Sequence, residues 1–139
     1  MSAKEIEESG FSLPNLVSVY HQHKLQTTMF QIMPIVTPGH TLGSTCYMIG
    51  KHLFSGDTVF IEGVGLCSKE NVLLLYQSVQ LLKETLTPDT IIWPGHSYGE
   101  EPGKTLSYLL KNNIYFHLKE QDFIDYRTRK DQPDPFAFK

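Results

Sequence analysis

Apolar residues from Val72 onward recur at spacings of three and four, through Leu75, Val79, Leu82 and Leu86. That period predicts an amphipathic helix starting at Ser68 or Asn71 and running to about Leu86, where Thr87-Pro88-Asp89 stops it. Elsewhere the period shortens to two. Residues 16–23 and 27–36 alternate and carry β-branched and aromatic side chains, so both are predicted as strands, and Pro34 marks an edge or a break in the second. Residues 45–49 and 53–55 form a predicted hairpin across Gly50-Lys51-His52. Residues 90–93 are a short apolar run of the kind that makes a buried strand. Further helices are predicted over 104–111 and 120–129. Residues 2–9 carry their own helix signals: Ser2 as cap, Glu5 three residues later as in a capping box, and Gly10 as the stop. The tail, 131–139, holds Pro133 and Pro135 and is expected to lie extended.

Short strands mixed with helices around a glycine-rich loop at 56–65 indicate an α/β fold. A chain of 139 residues suits one domain and can bury a core without disulfides. The formal net charge of -3 leaves no electrostatic footprint for nucleic acid. No apolar run approaches membrane-spanning length, and the polar start Met1-Ser2-Ala3-Lys4-Glu5 lacks the apolar region of a signal peptide. A cytoplasmic protein without membrane or nucleic-acid partners is therefore expected. Cys46 and Cys67 stand too far apart for a Cys-x-x-Cys pair and read as reduced thiols. Cys46, inside an apolar run, is expected to be buried, whereas Cys67 is a candidate to line a pocket.

The candidate chemistry lies in three strings: Thr37-Pro38-Gly39-His40-Thr41-Leu42-Gly43-Ser44, Ser55-Gly56-Asp57-Thr58 and Pro94-Gly95-His96. Each places a metal-binding side chain just beyond a predicted strand and beside a glycine. Strand ends on one rim of a sheet bring together ligands from distant parts of a chain. Imidazole and carboxylate suit zinc and iron, and a carboxylate can bridge two ions where an imidazole nitrogen binds one. Any one of these residues alone reads as an ordinary turn residue. Their shared setting makes His40, Asp57 and His96 a candidate metal centre. The remaining histidines are weaker candidates. His21 and His23 would share a face of a strand, but they are expected to be a solvated surface pair. His52 is expected to be exposed in its turn and His117 packed or at the surface. Trp93 and Phe60 are expected in the core.

The three strings, with Leu53-Phe54 ahead of the second and Val59-Phe60 after it, resemble the later motifs of the metallo-β-lactamase superfamily. Within that family they are similar to the glyoxalase II-type thioester hydrolases. The runs Glu101-Pro102-Gly103-Lys104-Thr105 and Asn113-Ile114-Tyr115-Phe116 look like those of zinc hydrolases associated with bacterial polyketide biosynthesis. The resemblance implies the C-terminal half of an αββα sandwich. It also implies roles for single residues: His40 as ligand to a first metal, Asp57 as the catalytic bridging carboxylate, His96 as ligand to a second metal, and Tyr98 near a thiol-carrier pocket. Two zinc ions, or iron in their place, would direct a bound hydroxide at the carbonyl of a small-molecule or carrier-bound acyl thioester.

The chain departs from that family in two places. The family's His-x-His-x-Asp-His motif is absent, and His21-Gln22-His23-Lys24-Leu25-Gln26 does not replace it. The chain is thus expected to be one partial domain of a longer parent, with partial metal occupancy and little activity alone. In addition, Gly63-Val64-Gly65-Leu66 stands where glyoxalase II enzymes carry Gly-Cys-Gly-Arg, which disfavours a glutathione thioester and leaves other acyl thioesters open. The basic run at 127–130 is expected to be a solvated helix end, favoured by the helix dipole, rather than a contact for phosphopantetheine or an acidic carrier. The alternative reading is a non-catalytic binding module that covers its sheet by self-association or by pairing with an N-terminal half. A scaffolding pseudoenzyme would leave the intact motif contexts unexplained.

Overall fold

The computed structural model describes residues 1–130. Five strands form one sheet in chain order: β1 (Leu25–Gln26), β2 (Gln31–Val36), β3 (Thr45–Ile49), β4 (His52–Gly56) and β5 (Ile91–Pro94). The first three pairings are antiparallel, and β4 pairs with β5 in parallel. The parallel crossover is made by α2 (Val72–Thr85), preceded by a 3-10 turn over Lys69–Asn71. The other helices are α1 (Ala3–Ser9), α3 (Leu106–Asn112) and α4 (Glu120–Thr128).

One face of the sheet carries Ile35, Cys46, Leu53 and Ile92, which meet Leu75, Val79 and Leu82 of α2, Leu106 and Leu109 of α3, and Phe123 of α4 in a single buried cluster. Strand alternation puts Tyr47, Phe54 and Trp93 on the opposite face. They neighbour one another across β3, β4 and β5, and Phe54 and Trp93 are exposed. Among the described residues no helix is long and apolar enough to cross a membrane.

The helix over 72–85 and the strand over 45–49 follow the sequence pattern. Four expectations fail. Residues 16–23 form no strand: Val19 alone is buried, its single bridge is to Ser2, and the chain turns at Gln22, whose φ is 57°. The alternation there buries no continuous face, so nothing rewards pairing. The run at 27–36 is divided, because Thr27 and Phe30 close a turn on each other (2.9 Å) before β2 begins. Trp93, expected in the core, lies on the outer face and donates to His52 Nδ1 at 3.0 Å. That bond leaves His52 half-buried rather than exposed. Pro34 does sit where β2 has no full strand beside it, since β1 pairs only with Gln31 and Ile32.

The N-terminal helix begins and ends as the sequence suggests, without the second half of the capping box. Ser2 Oγ accepts from the Glu5 amide, and Gly10 ends the helix in the left-handed conformation. The Glu5 carboxylate does not return to the cap. It accepts from Thr41 Oγ1 at 2.7 Å, which ties α1 to the loop carrying His40. Residues 131–139, expected to be extended, lie outside the described residues.

Candidate metal centre

The loop after β2 closes through Thr37 N–H to the Ser44 carbonyl (2.8 Å) and rests on α2, where Ser78 Oγ donates to the Pro38 carbonyl (2.7 Å). This seat presents His40. The Asp57 loop folds back on itself after β4. Val59 pairs with Val64, and the fully buried Asn113 donates its side-chain amide to the Phe60 and Gly63 carbonyls at 3.1 and 3.0 Å. Below both loops, Thr37 Oγ1 and Thr58 Oγ1 share a hydrogen bond of 3.0 Å, with Cys46 Sγ 3.4 Å from Thr37 Oγ1. Burial pushes the Cys46 thiol up to about 11, so it stays protonated there. His96 arrives on the extension of β5, where Gly95 N–H donates to the Gly56 carbonyl at 2.9 Å.

The three loops bring the expected residues together. Asp57 Oδ2 lies 3.5 Å from His40 Nε2, and Asp57 Oδ1 lies 3.5 Å from His96 Nε2. One carboxylate oxygen thus faces each imidazole. A side chain at position 95 would place its Cβ 2.7 Å from Asp57 Oδ1, so this approach requires glycine there.

His40 Nδ1 lies 2.7 Å from the Leu66 carbonyl. A carbonyl only accepts, so Nδ1 donates there, and Nε2 is the ring nitrogen left facing Asp57. An imidazole nitrogen and a carboxylate oxygen that face each other are donors that fit a shared cation. Among the described residues, no three His, Cys, Asp or Glu side chains close around a single point. Each position has one imidazole and one carboxylate oxygen, which is fewer than the three protein ligands usual at a catalytic zinc.

Tyr98 stands beside the cluster. Its ring meets Phe60 edge-on at 5.0 Å and lies 6.2 Å from the His96 ring, while Phe60 contacts His96 at 6.1 Å. Phe60 is buried, as expected. The tip of this loop is tied to the Asp57 loop through the Glu100 amide, which donates to Glu62 Oε1. His21 and His23 are exposed and lie on a turn, not on a shared strand face; His21 Nδ1 accepts from the Val36 amide at 3.1 Å. His117 is at the surface.

A family model described as the metallo-beta-lactamase superfamily matches residues 11–96, which include His40, Asp57 and His96. The chain belongs to the metallo-beta-lactamase superfamily. It is 42% identical to the probable polyketide biosynthesis zinc-dependent hydrolase BaeB of Bacillus velezensis and 37% identical to PksB, of the same description, from Bacillus subtilis. Both alignments cover all of this chain and 63% of the relative's length. Among solved structures, a metallo-beta-lactamase from Staphylococcus aureus superposes with a TM-score of 0.79 at 29% identity, over 88% of this chain and 42% of the other. ETHE1 from Myxococcus xanthus gives 0.77 at 26% identity, over 86% and 54%. The mixed sheet with flanking helices is thus the fold of the superfamily.

Several residues that hold the centre were not apparent as such. Thr37 and Thr58 stand inside the recognised strings, so their position was a signal that went unused. Arg127 is not part of a solvated basic helix end, contrary to expectation: it is 7% exposed, and its Nε and Nη2 both donate to the Gly65 carbonyl, at 3.2 and 3.1 Å. Its place four residues after Phe123, on the same helix face, was the available hint. Cys67 is half-buried, and burial raises its thiol against the opposing pull of Arg127.

Proposed function

We propose that this chain supplies the His40–Asp57–His96 side of a zinc-dependent hydrolase centre that acts on an acyl thioester, free or carrier-bound. The observation that carries the reading is the Asp57 carboxylate set between two imidazole nitrogens at 3.5 Å, one of them in a ring whose other nitrogen donates to the Leu66 carbonyl. The names of BaeB and PksB support zinc and hydrolysis. In this reading His40 and His96 hold one ion each and Asp57 holds both. Zinc bound there supplies a Lewis acid and a water of lowered pKa. Iron is accepted by the same donors. Tyr98 and Phe60 form an aromatic wall beside His96 that orients the thiol portion of the substrate. Leu66, exposed where a glyoxalase II enzyme has arginine, supports a substrate other than a glutathione thioester. The free thiols of Cys46 and Cys67 support a reducing, cytoplasmic setting.

The chain spans 63% of the curated relatives it matches, and the centre holds too few donors to close two sites. Weak zinc binding and slow turnover are therefore expected of it alone. Chelator-competition titration with zinc, with Asp57→Asn beside the wild type, tests the assignment. The variant is expected to bind at least about a hundredfold more weakly, since it loses the ligand common to both ions. Equal binding by the two proteins would sink it. Hydrolysis of a simple acyl thioester by the zinc-loaded chain, at a rate typical of an efficient enzyme, would overturn the expectation of weak activity.

A second reading rests on the outer face of the sheet, where Tyr47, Phe54 and Trp93 lie side by side. An apolar sheet face of this kind is expected to be covered by a second copy or by a complementing N-terminal half. Sedimentation showing a compact monomer at high concentration would count against self-association.

A further inference from the structure

Arg127 lies on α4, far in sequence from the candidate metal ligands, yet it reaches the loop that carries Asp57 and contacts His40. The Gly65 carbonyl that it holds belongs to the peptide joining Gly65 to Leu66, and the Leu66 carbonyl is the partner of His40 Nδ1. Gly65 also packs against the start of the same loop: a Cβ added there would lie 1.8 Å from the Asp57 carbonyl oxygen. The Gly65 amide returns to the Thr58 carbonyl at 3.4 Å. The Gly65 peptide is therefore held by Asp57 and Thr58 on one side and by a guanidinium on the other.

We propose that Arg127 is a positioning residue for the His40–Asp57 side of the centre, acting through the Gly65–Leu66 backbone. By fixing that peptide plane, the guanidinium aims the next carbonyl at His40 Nδ1 and so sets the tautomer and direction of the imidazole. A planar fork can place two N–H groups on one carbonyl, which a lysine ammonium on a flexible stem does not reproduce in the same plane. A buried cation is costly to hold without satisfied hydrogen bonds, so a role in general solubility or a surface charge pattern does not account for its place. The inference rests on the zinc reading for its functional consequence, though the link from Arg127 to His40 stands on geometry alone.

The test compares Arg127→Met, Arg127→Lys and Phe123→Leu with the wild type. Phe123→Leu loosens the packing of α4 against Tyr76 and Tyr115 without touching Gly65. Long-range proton–nitrogen NMR of the imidazoles reads the His40 tautomer, and chelator competition reads zinc affinity. In Arg127→Met the His40 Nδ1–H signature is expected to give way to a tautomer mixture, with zinc bound about tenfold or more weakly, as for other lost orienting partners. Arg127→Lys should show the same changes to a smaller degree, and it decides the matter if the methionine variant does not fold. Phe123→Leu should lower the melting temperature and leave both readouts near wild type. A wild-type tautomer and zinc affinity in the folded arginine variants would overturn the proposal, as would an equal loss in Phe123→Leu. If the wild type binds no zinc but Arg127→Met still scrambles the His40 tautomer, the zinc reading fails and the positioning role stands.

Discussion

The two imidazoles that face Asp57 are held in different ways. His40 is fixed by a short hydrogen bond to a backbone carbonyl, on a loop that is itself bonded to α1, α2 and β3. Its side chain is 35% exposed, against 57% for His96. His96 leans on the rings of Phe60 and Tyr98, contacts that are broad in angle and weak in direction. Hydrogen bonds set a tautomer and an angle, whereas ring edges limit only where a side chain can go. The His40 side is thus held by directional bonds and the His96 side by ring edges.

The most direct way to break this comparison is to remove each imidazole in turn. His40→Ala should weaken zinc binding about a hundredfold and His96→Ala about tenfold, because a pre-aimed ligand gives up less freedom on binding. Isothermal titration with zinc measures both. A loss in His96→Ala equal to or above that in His40→Ala would show that the two sides are equally organised.

A smaller effect is expected below the centre. Thr37→Val keeps shape but leaves Thr58 Oγ1, in a residue only 2% exposed, without the hydroxyl it meets at 3.0 Å. Denaturant unfolding should show a loss of about 1–3 kcal/mol, the usual result of orphaning one partner of a buried pair. Zinc affinity should fall less than in His40→Ala, since the bonds from Thr37 N–H to the Ser44 carbonyl and from Ser78 Oγ to the Pro38 carbonyl remain. A stability loss near zero would mean that the threonine pair is incidental to the join between the two loops.

What the sequence made legible follows the same division between local and distant causes. Helix α2 and strand β3 are continuous periodic runs, and their packing faces agree with their periods. His40, Asp57 and His96 could be grouped because each follows a strand, and the parallel pairing of β4 with β5 then carries Asp57 and His96 to one rim. The alternation at 16–23 misled because Val17 and Tyr20 are more than half exposed, so the pattern had no core to face. The spacing of Arg127 four residues after the buried Phe123 hints at its burial, but its partner could not be read from the sequence. That partner is a carbonyl 62 residues away, at Gly65, that only the finished fold brings beneath α4.

The smallest effect should come from Tyr98, and it tests whether the His96 side depends on a ring or on a hydroxyl. Tyr98→Phe keeps the edge contact with Phe60 at 5.0 Å and the ring near His96. Its stability should stay within about 0.5 kcal/mol of wild type, as for most changes at exposed positions, and zinc affinity should not move. If the hydroxyl meets the thiol portion of a substrate, KM for an acyl thioester rises a few-fold with kcat unchanged, the mark of binding shared by ground and transition states. Tyr98→Ala removes the ring as well, so it should add a loss of zinc affinity through His96. A fall in zinc affinity already in Tyr98→Phe would place the hydroxyl in the support of His96. The His96 side of the centre would then be more firmly held than its ring contacts alone suggest.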